Sequence, residues 1–372
     1  MTVTVDKARG CLLGQAIGDA LGAPIEGLSR DRLLRHCGLV RDYLGADQPW
    51  LRRLGRLRPP GFYTDDTQQA LVIADVLLEN RGYDPEAARR KYVELAQPVP
   101  GLPRGAHYAT GGNFRAALER MANGHPTLET GIPSAGNGAA MRIAPIGLWY
   151  ADRPDELRRA ASEASLQTHT DPRAIAAAVA VACLVAHLAT QPVENPEGEL
   201  AALSAATALA QEAEAALGGD LQPPRFSASL LILPGLWGAP SWDVLRAIVL
   251  EANREQPAHA VTSPSDRFAC ASVPTAIYLA LRSSSFEEAV LQAINLGGDA
   301  DTVGAITGAL AGARWGASAI PQRWLDGLAN LEGLLARADG LAGGGKGIGS
   351  TEDLVSTERR LALACQRQRE GW

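Results

Sequence analysis

Residues 10–26 read GCLLGQAIGDALGAPIE, and residues 300–315 read ADTVGAITGALAGARW. Gly10, Gly14, Gly18 and Gly22 recur every four residues, as do Gly304, Gly308 and Gly312. Glycine costs a helix interior about 1 kcal/mol relative to alanine, so this repetition calls for a compensating gain. Close approach of two helix backbones along faces without side chains supplies one. The spacing therefore predicts two helices packed as neighbours in the core. The alternative is that Gly18 and Gly22 belong to loops.

Outward from these segments the periodicity stays helical. Apolar residues recur at three and four in 66–80, 85–96, 113–122, 155–166, 173–190, 198–217, 242–253, 266–282, 286–294 and 321–336. Thr64, Asp84 and Asp171 stand where helix N-caps are expected, the last two before proline. Strand-like character is confined to the short run Leu230-Leu231-Ile232-Leu233. The expected fold is all-α, a single compact multi-helix body with a metal cleft over residues 1–338. Residues 339–372 would add a Gly-rich loop (340–350) and a C-terminal helix. Residues 218–227 read as another loop.

The chain has 372 residues, 46% of them hydrophobic, enough to build a core without disulfides. Its formal net charge of −6 argues against a nucleic-acid-binding surface, which needs a basic stripe. Five cysteines without a CxxC pair suggest reduced thiols and a cytoplasmic location. Asp6, Lys7 and Arg9 precede only a short apolar stretch broken at Asp19, so no signal peptide is expected. The longest apolar run, 174–189, is short for a membrane span and contains His187. A monomer is expected. Gly340–Gly347 resembles a P-loop but lacks the metal-holding Ser/Thr and a preceding strand.

Two segments concentrate hard oxygen ligands. Tyr63-Thr64-Asp65-Asp66-Thr67 could be a helix cap, but two adjacent aspartates between threonines exceed what a cap requires. Asn295-Leu296-Gly297-Gly298-Asp299-Ala300-Asp301-Thr302 is a glycine turn running into the second glycine-spaced helix. Four carboxylates brought together would repel one another without a cation. Oxygen-only donors suit magnesium, manganese or calcium, and the cluster calls for one divalent ion or, preferably, two, Mg2+ or Mn2+, which together could orient a water for attack. Residues 134–142, SAGNGAAMR, with Gly136 and Gly138 on either side of Asn137, could form a backbone nest for phosphate or a plain turn. His169, in Thr168-His169-Thr170-Asp171-Pro172, could touch substrate or cap a helix. Glu26 could lie at the surface or face the carboxylates as an acid/base group.

In this order, segments 10–26, 63–67, 134–142, 168–172 and 295–302 resemble the ADP-ribosylglycohydrolase family, over about residues 8–335. The resemblance implies an all-α enzyme with two divalent metals. Thr64, Asp65 and Asp66 match its first ligand group, and Asp299, Asp301 and Thr302 its second. Ser134, Gly136, Asn137 and Gly138 match the loop holding the diphosphate of ADP-ribose, His169 a ribose-pocket residue, and Glu26 a glutamate on a flap. The implied reaction hydrolyses the bond from C1″ of ADP-ribose to an acceptor. Asp301, with Asp65, would position the water, and Glu26 would protonate the leaving group. Arginine-linked ADP-ribose on a protein is the preferred substrate by resemblance. Serine-linked or O-acyl-ADP-ribose, or a catalytically silent ADP-ribose-binding relative, are the alternatives. Residues 104–109 depart from the family pattern, and the tail beyond about 340 has no counterpart in it.

Overall fold

The computed structural model describes residues 2–45, 47–216, 223–255, 260–345 and 353–370. The two glycine-spaced segments form the helices Val5–Gly22 and Ala300–Trp315, which lie antiparallel against each other. Gly10 faces Gly312, Gly14 faces Gly308, Gly18 faces Gly304, and Gly22 faces Ala300. A Cβ on Gly14 would fall 2.9 Å from the Gly308 carbonyl carbon, inside van der Waals contact. The helix continues through Gly18 to Gly22, which removes the loop alternative. This register brings the end of the first helix, with Asp19 and then Glu26, to the start of the late one, with Asp299 and Asp301.

Eighteen α-helices lie among the described residues, joined by short turns and five 3-10 segments, with isolated β-bridges and no sheet. Apolar side chains fill two clusters against the central pair. One gathers around the Ala/Val-rich helix Pro172–Thr190. The other includes Tyr92, Phe286 and Trp324. Pro172–Thr190 is long and apolar enough to cross a membrane, so length does not set it aside as the run 174–189 suggested. Its packing decides the matter, because Ala174–Ala182 are all buried within the core.

The strand-like run at 230–233 is not a strand. The helix Phe226–Leu231 covers its start, and a 3-10 turn follows at Pro234–Leu236. Leu230 and Leu233 are buried while Leu231 is 56% exposed, a spacing of three instead of two. Part of the loop expected at 218–227 lies outside the described residues, and Phe226 and Ser227 are already helical. The helix expected over 266–282 begins at Ala269. The helix Leu331–Ala342 runs through the boundary drawn at 338, so the Gly-rich loop starts later than 340. Lys346 and the rest of that loop lie outside the described residues, whereas the final helix is present as Leu354–Glu370. All five cysteines are free thiols.

Candidate active site

Glu26 follows the first helix and a short 3-10 turn, Ala23–Ile25. Backbone hydrogen bonds tie it to the late turn: Gly27 N donates to Gly298 O (2.5 Å) and Gly298 N to Leu28 O (2.7 Å). Asp299 N donates to Ser265 O at 2.8 Å. Gly297 and Gly298 have φ of +73° and +65°, a region open to glycine, and the chain packs too closely there for a Cβ. Carboxylate oxygens of Glu26, Asp299 and Asp301 consequently fall within 4.8 Å of one another.

The early turn is organised by Asp19. Its buried carboxylate accepts from Thr64 N (2.9 Å), Thr67 N (3.1 Å) and Thr67 Oγ1 (2.6 Å). This anchors the N-terminus of the helix Asp65–Asn80 and turns Asp65 and Asp66 to the late turn. Asp65 Oδ2 accepts from Gln69 Nε2 at 3.0 Å. Asp66 Oδ2 accepts from Thr64 Oγ1 at 3.2 Å, but buried Asp66 Oδ1 has no hydrogen-bond partner among the described residues.

Glu26, Asp65, Asp66, Asp299, Asp301 and Thr302 together line a cleft of about 440 Å³. Burial pushes the carboxyls upward. Asp65 reaches about 7, through burial first and the charge of Asp19 next. Asp66 and Asp301 stand well above the ordinary range for the same reasons, burial and then neighbouring carboxylates. Removing water from a clustered negative charge disfavours ionisation unless a cation compensates.

The same cleft is lined by Gly136, Asn137, Gly138 and His169. Asn137 Nδ2 donates to Asp299 Oδ2 at 2.6 Å, linking this loop to the late turn. Burial, reinforced by the nearby Arg142 charge, pushes His169 down to about 3, so its ring is neutral. Its Nδ1 bonds Thr168 Oγ1 (2.8 Å), and Arg142 holds both Thr168 and Gln69, the latter at 2.5 Å. His169 does not cap the following helix; Asp171 does, accepting from Arg173 N.

Thr64 and Ser134 do not line the cleft. The Thr64 hydroxyl turns to Asp66, and Ser134 Oγ accepts from Asn113 Nδ2 (2.7 Å) and Gly136 N (3.2 Å). The nest expected at 136–138 is partly used internally, because Asn137 N donates to Arg267 O at 3.1 Å. Sequence reading missed several lining groups: Gln69, Arg142, Arg267 and the stretch Ala109–Arg115, whose Ala109 falls in the segment left without a role. The Gly111-Gly112 pair before a helix was a usable signal. Arg267 had none, yet its Nη2 donates to Glu26 and its Nε to Asp299 Oδ1 (3.3 Å).

Fold and cleft together define a class: an all-helical protein whose cleft combines clustered carboxylates with a glycine-bearing loop and a histidine. The ADP-ribosylglycohydrolase model matches residues 1–351, and the chain belongs to this family of hydrolases. It is 28% identical to the ADP-ribosylarginine hydrolase Tri1 of Serratia proteamaculans, over 88% of this chain and 77% of the relative. It is 29% identical to the ADP-ribosylhydrolase ARH3 of Gallus gallus, over 86% and 88%. A solved structure of an ADP-ribosylglycohydrolase-related protein complex superposes with a TM-score of 0.63 at 34% identity, covering 91% of this chain and 97% of the other.

Proposed function

We propose that this chain is a divalent-cation-dependent hydrolase that releases ADP-ribose from arginine on a modified protein. The observation that carries the reading is the meeting of two distant aspartate-bearing turns in one cleft, with Asp66 Oδ1 buried and unpartnered. The donor set fits hard cations, being all oxygen. Asp65, Asp66, Asp299 and Asp301, with Thr302, would hold two ions, Mg2+ or Mn2+. When bound, such ions supply positive charge to the carboxylate cluster and acidify water in the cleft.

The remaining work falls to the protein. Asp301, beside Asp65, orients the attacking water and accepts its proton as C1″ of the ribose takes on oxocarbenium character. The water oxygen bonds to C1″ while the bond from C1″ to the acceptor nitrogen breaks. Glu26, half-buried at the mouth, passes a proton to the departing nitrogen. Neutral His169 offers its Nε2 edge beside Gly138 to a ribose hydroxyl. Gly136–Gly138 and Gly111–Gly112, the latter pair opening the helix Gly112–Ala122 with no atom near a would-be Cβ, give the diphosphate room to approach backbone.

Two observations support the arginine linkage. The Serratia relative is named for ADP-ribosylarginine. Within the cleft, Glu26 and Asp299 already accept a guanidinium, that of Arg267. The test measures ADP-ribose release from arginine-, serine- and acyl-linked substrates with Mg2+, Mn2+ or excess chelator. Arginine-linked substrate is expected to turn over fastest, and chelator to stop it. Faster serine- or acyl-linked cleavage would move the linkage. ADP-ribose binding without turnover of any substrate would make the chain a silent binder.

A further inference from the structure

The helix Leu354–Glu370 begins after residue 351, where the family match ends. It seats Leu354, Val355, Leu361 and Ala362 in the second apolar cluster, and between them it buries one carboxylate completely, that of Glu358. Glu358 Oε1 accepts from Tyr63 Oη at 2.6 Å. Glu358 Oε2 accepts from Gln68 Nε2 at 2.8 Å and from Tyr108 Oη at 3.4 Å. Tyr63 immediately precedes Thr64-Asp65-Asp66, and Gln68 follows Asp66 by two residues. One side chain therefore grips the early turn on both sides of its candidate ligands.

The partners are themselves fixed. Tyr63 Oη accepts from Asn330 Nδ2 at 3.0 Å. Gln68 Oε1 bonds His107 Nδ1 at 2.7 Å, and His107 Nε2 reaches Tyr92 O at 2.8 Å. A buried carboxylate is costly where an apolar side chain would fill the same space, so its value lies in what it holds. Asp19 secures the turn from the first helix, through Thr64 and Thr67. Glu358 secures it from the C-terminal helix, through Tyr63 and Gln68.

We infer that Glu358 is a positioning residue for the cation site, and that the C-terminal helix completes that site by aiming Asp65 and Asp66 at the late turn. This rests on the proposed reading that the early turn holds a divalent cation. Groups that orient metal ligands typically change metal affinity or activity by about 10–100-fold when lost.

The experiment compares full-length wild type with Glu358→Gln, Tyr63→Phe and, as a packing control on the same helix, Leu361→Ala. Calorimetry with Mn2+ is read beside kcat, KM, circular dichroism and melting temperature. Glu358→Gln and Tyr63→Phe are expected to keep the wild-type dichroism, to bind Mn2+ about tenfold more weakly and to lose kcat by a similar factor, with KM within about twofold. Leu361→Ala is expected to melt earlier yet bind Mn2+ like wild type. Unchanged Mn2+ affinity in Glu358→Gln and Tyr63→Phe overturns the inference, as does equal weakening in Leu361→Ala, which would make the helix a matter of stability alone. A wild type that binds no Mn2+ overturns the cation reading and this inference together.

Discussion

The early and late turns present their aspartates to the same cleft but are built in opposite ways. The early turn is gripped by side chains: Asp19 on one flank and Glu358 on the other, both completely buried. The late turn is held mainly by backbone, with side-chain bonds from Asn137 Nδ2 to Asp299 and from Ser265 Oγ to Gly297 O added to it. Gly298 exchanges hydrogen bonds with Gly27 and Leu28, Asp299 N reaches Ser265 O, and the helix behind is locked by glycine against glycine. A turn held by side chains depends on a few polar groups and tolerates variation in its backbone. A turn held by backbone depends on the absence of side chains, so its vulnerable residues are glycines.

The largest expected effect tests whether the two turns form one site. Asp66→Asn and Asp301→Asn should each lower turnover by at least about a hundredfold, with circular dichroism unchanged. If only one does so, the turns are not equal partners.

Next come the supports. Gly298→Ala places a Cβ 2.5 Å from both Ser265 O and Ser265 Oγ at a φ of +65°, and should cost about 2–3 kcal/mol in urea denaturation. Asp19→Asn replaces an acceptor oxygen facing Thr64 and Thr67 with an amide, and should cost about 1–3 kcal/mol. Its loss should weaken Mn2+ binding as well. Should Gly298→Ala prove neutral, the late turn is not held as described.

A subtler effect is a pH dependence. Asp65 sits at about 7 when folded against an ordinary 3.8. The folded protein therefore binds more protons than the unfolded chain between those values, and this stability is full below about 4 and lost as pH rises to about 7. Divalent cations should reverse the trend by favouring the ionised form. The gain in melting temperature on adding Mn2+ should thus widen from pH 5 to pH 7. His107, pushed down to about 4 by burial, acts in the opposite sense: its contribution is lost as pH falls from about 6.5 to 4. Because it lies away from the carboxylate cluster, its effect should cancel between the two scans. A gain that shrinks toward neutrality would contradict the cation reading.

The smallest effect concerns Arg267, whose side chain is 71% exposed although it pairs with Glu26 and Asp299. Arg267→Ala should shift melting by no more than the worth of an exposed pair, about 0–1 kcal/mol. It should also lower KM for an arginine-linked substrate by vacating the place where a guanidinium sits. A raised KM would make Arg267 a substrate contact instead.

Much of this was legible in the chain. Glycine at every fourth residue in two distant segments announced the central helix pair, because only backbone contact compensates for so many glycines. Doubled aspartates among threonines and glycines announced the two turns, because like charges at such density need a cation. What pattern could not supply was the set of long-range partners. Asp19 reads as one more residue of the glycine helix, Glu358 as one more acid on a polar helix, Arg267 as the second residue of the helix expected over 266–282, and Leu230–Leu233 as a strand. Periodicity reports which face of an element is apolar, and it is silent on which polar group meets which.

By itself, then, the order of residues determined the helical class, the pairing of the glycine faces and the carboxylate-rich chemistry of the two turns. These depend on local spacing and on the intrinsic properties of glycine and carboxylate. Only the tertiary structure decided that Asp19 and Glu358 flank the early turn, that Thr64 and Ser134 turn away from the cleft, and that Arg267 reaches into it. The flanking and the reach of Arg267 are hydrogen bonds between residues far apart in the chain, and the direction in which Thr64 and Ser134 turn is fixed only against the packed cleft.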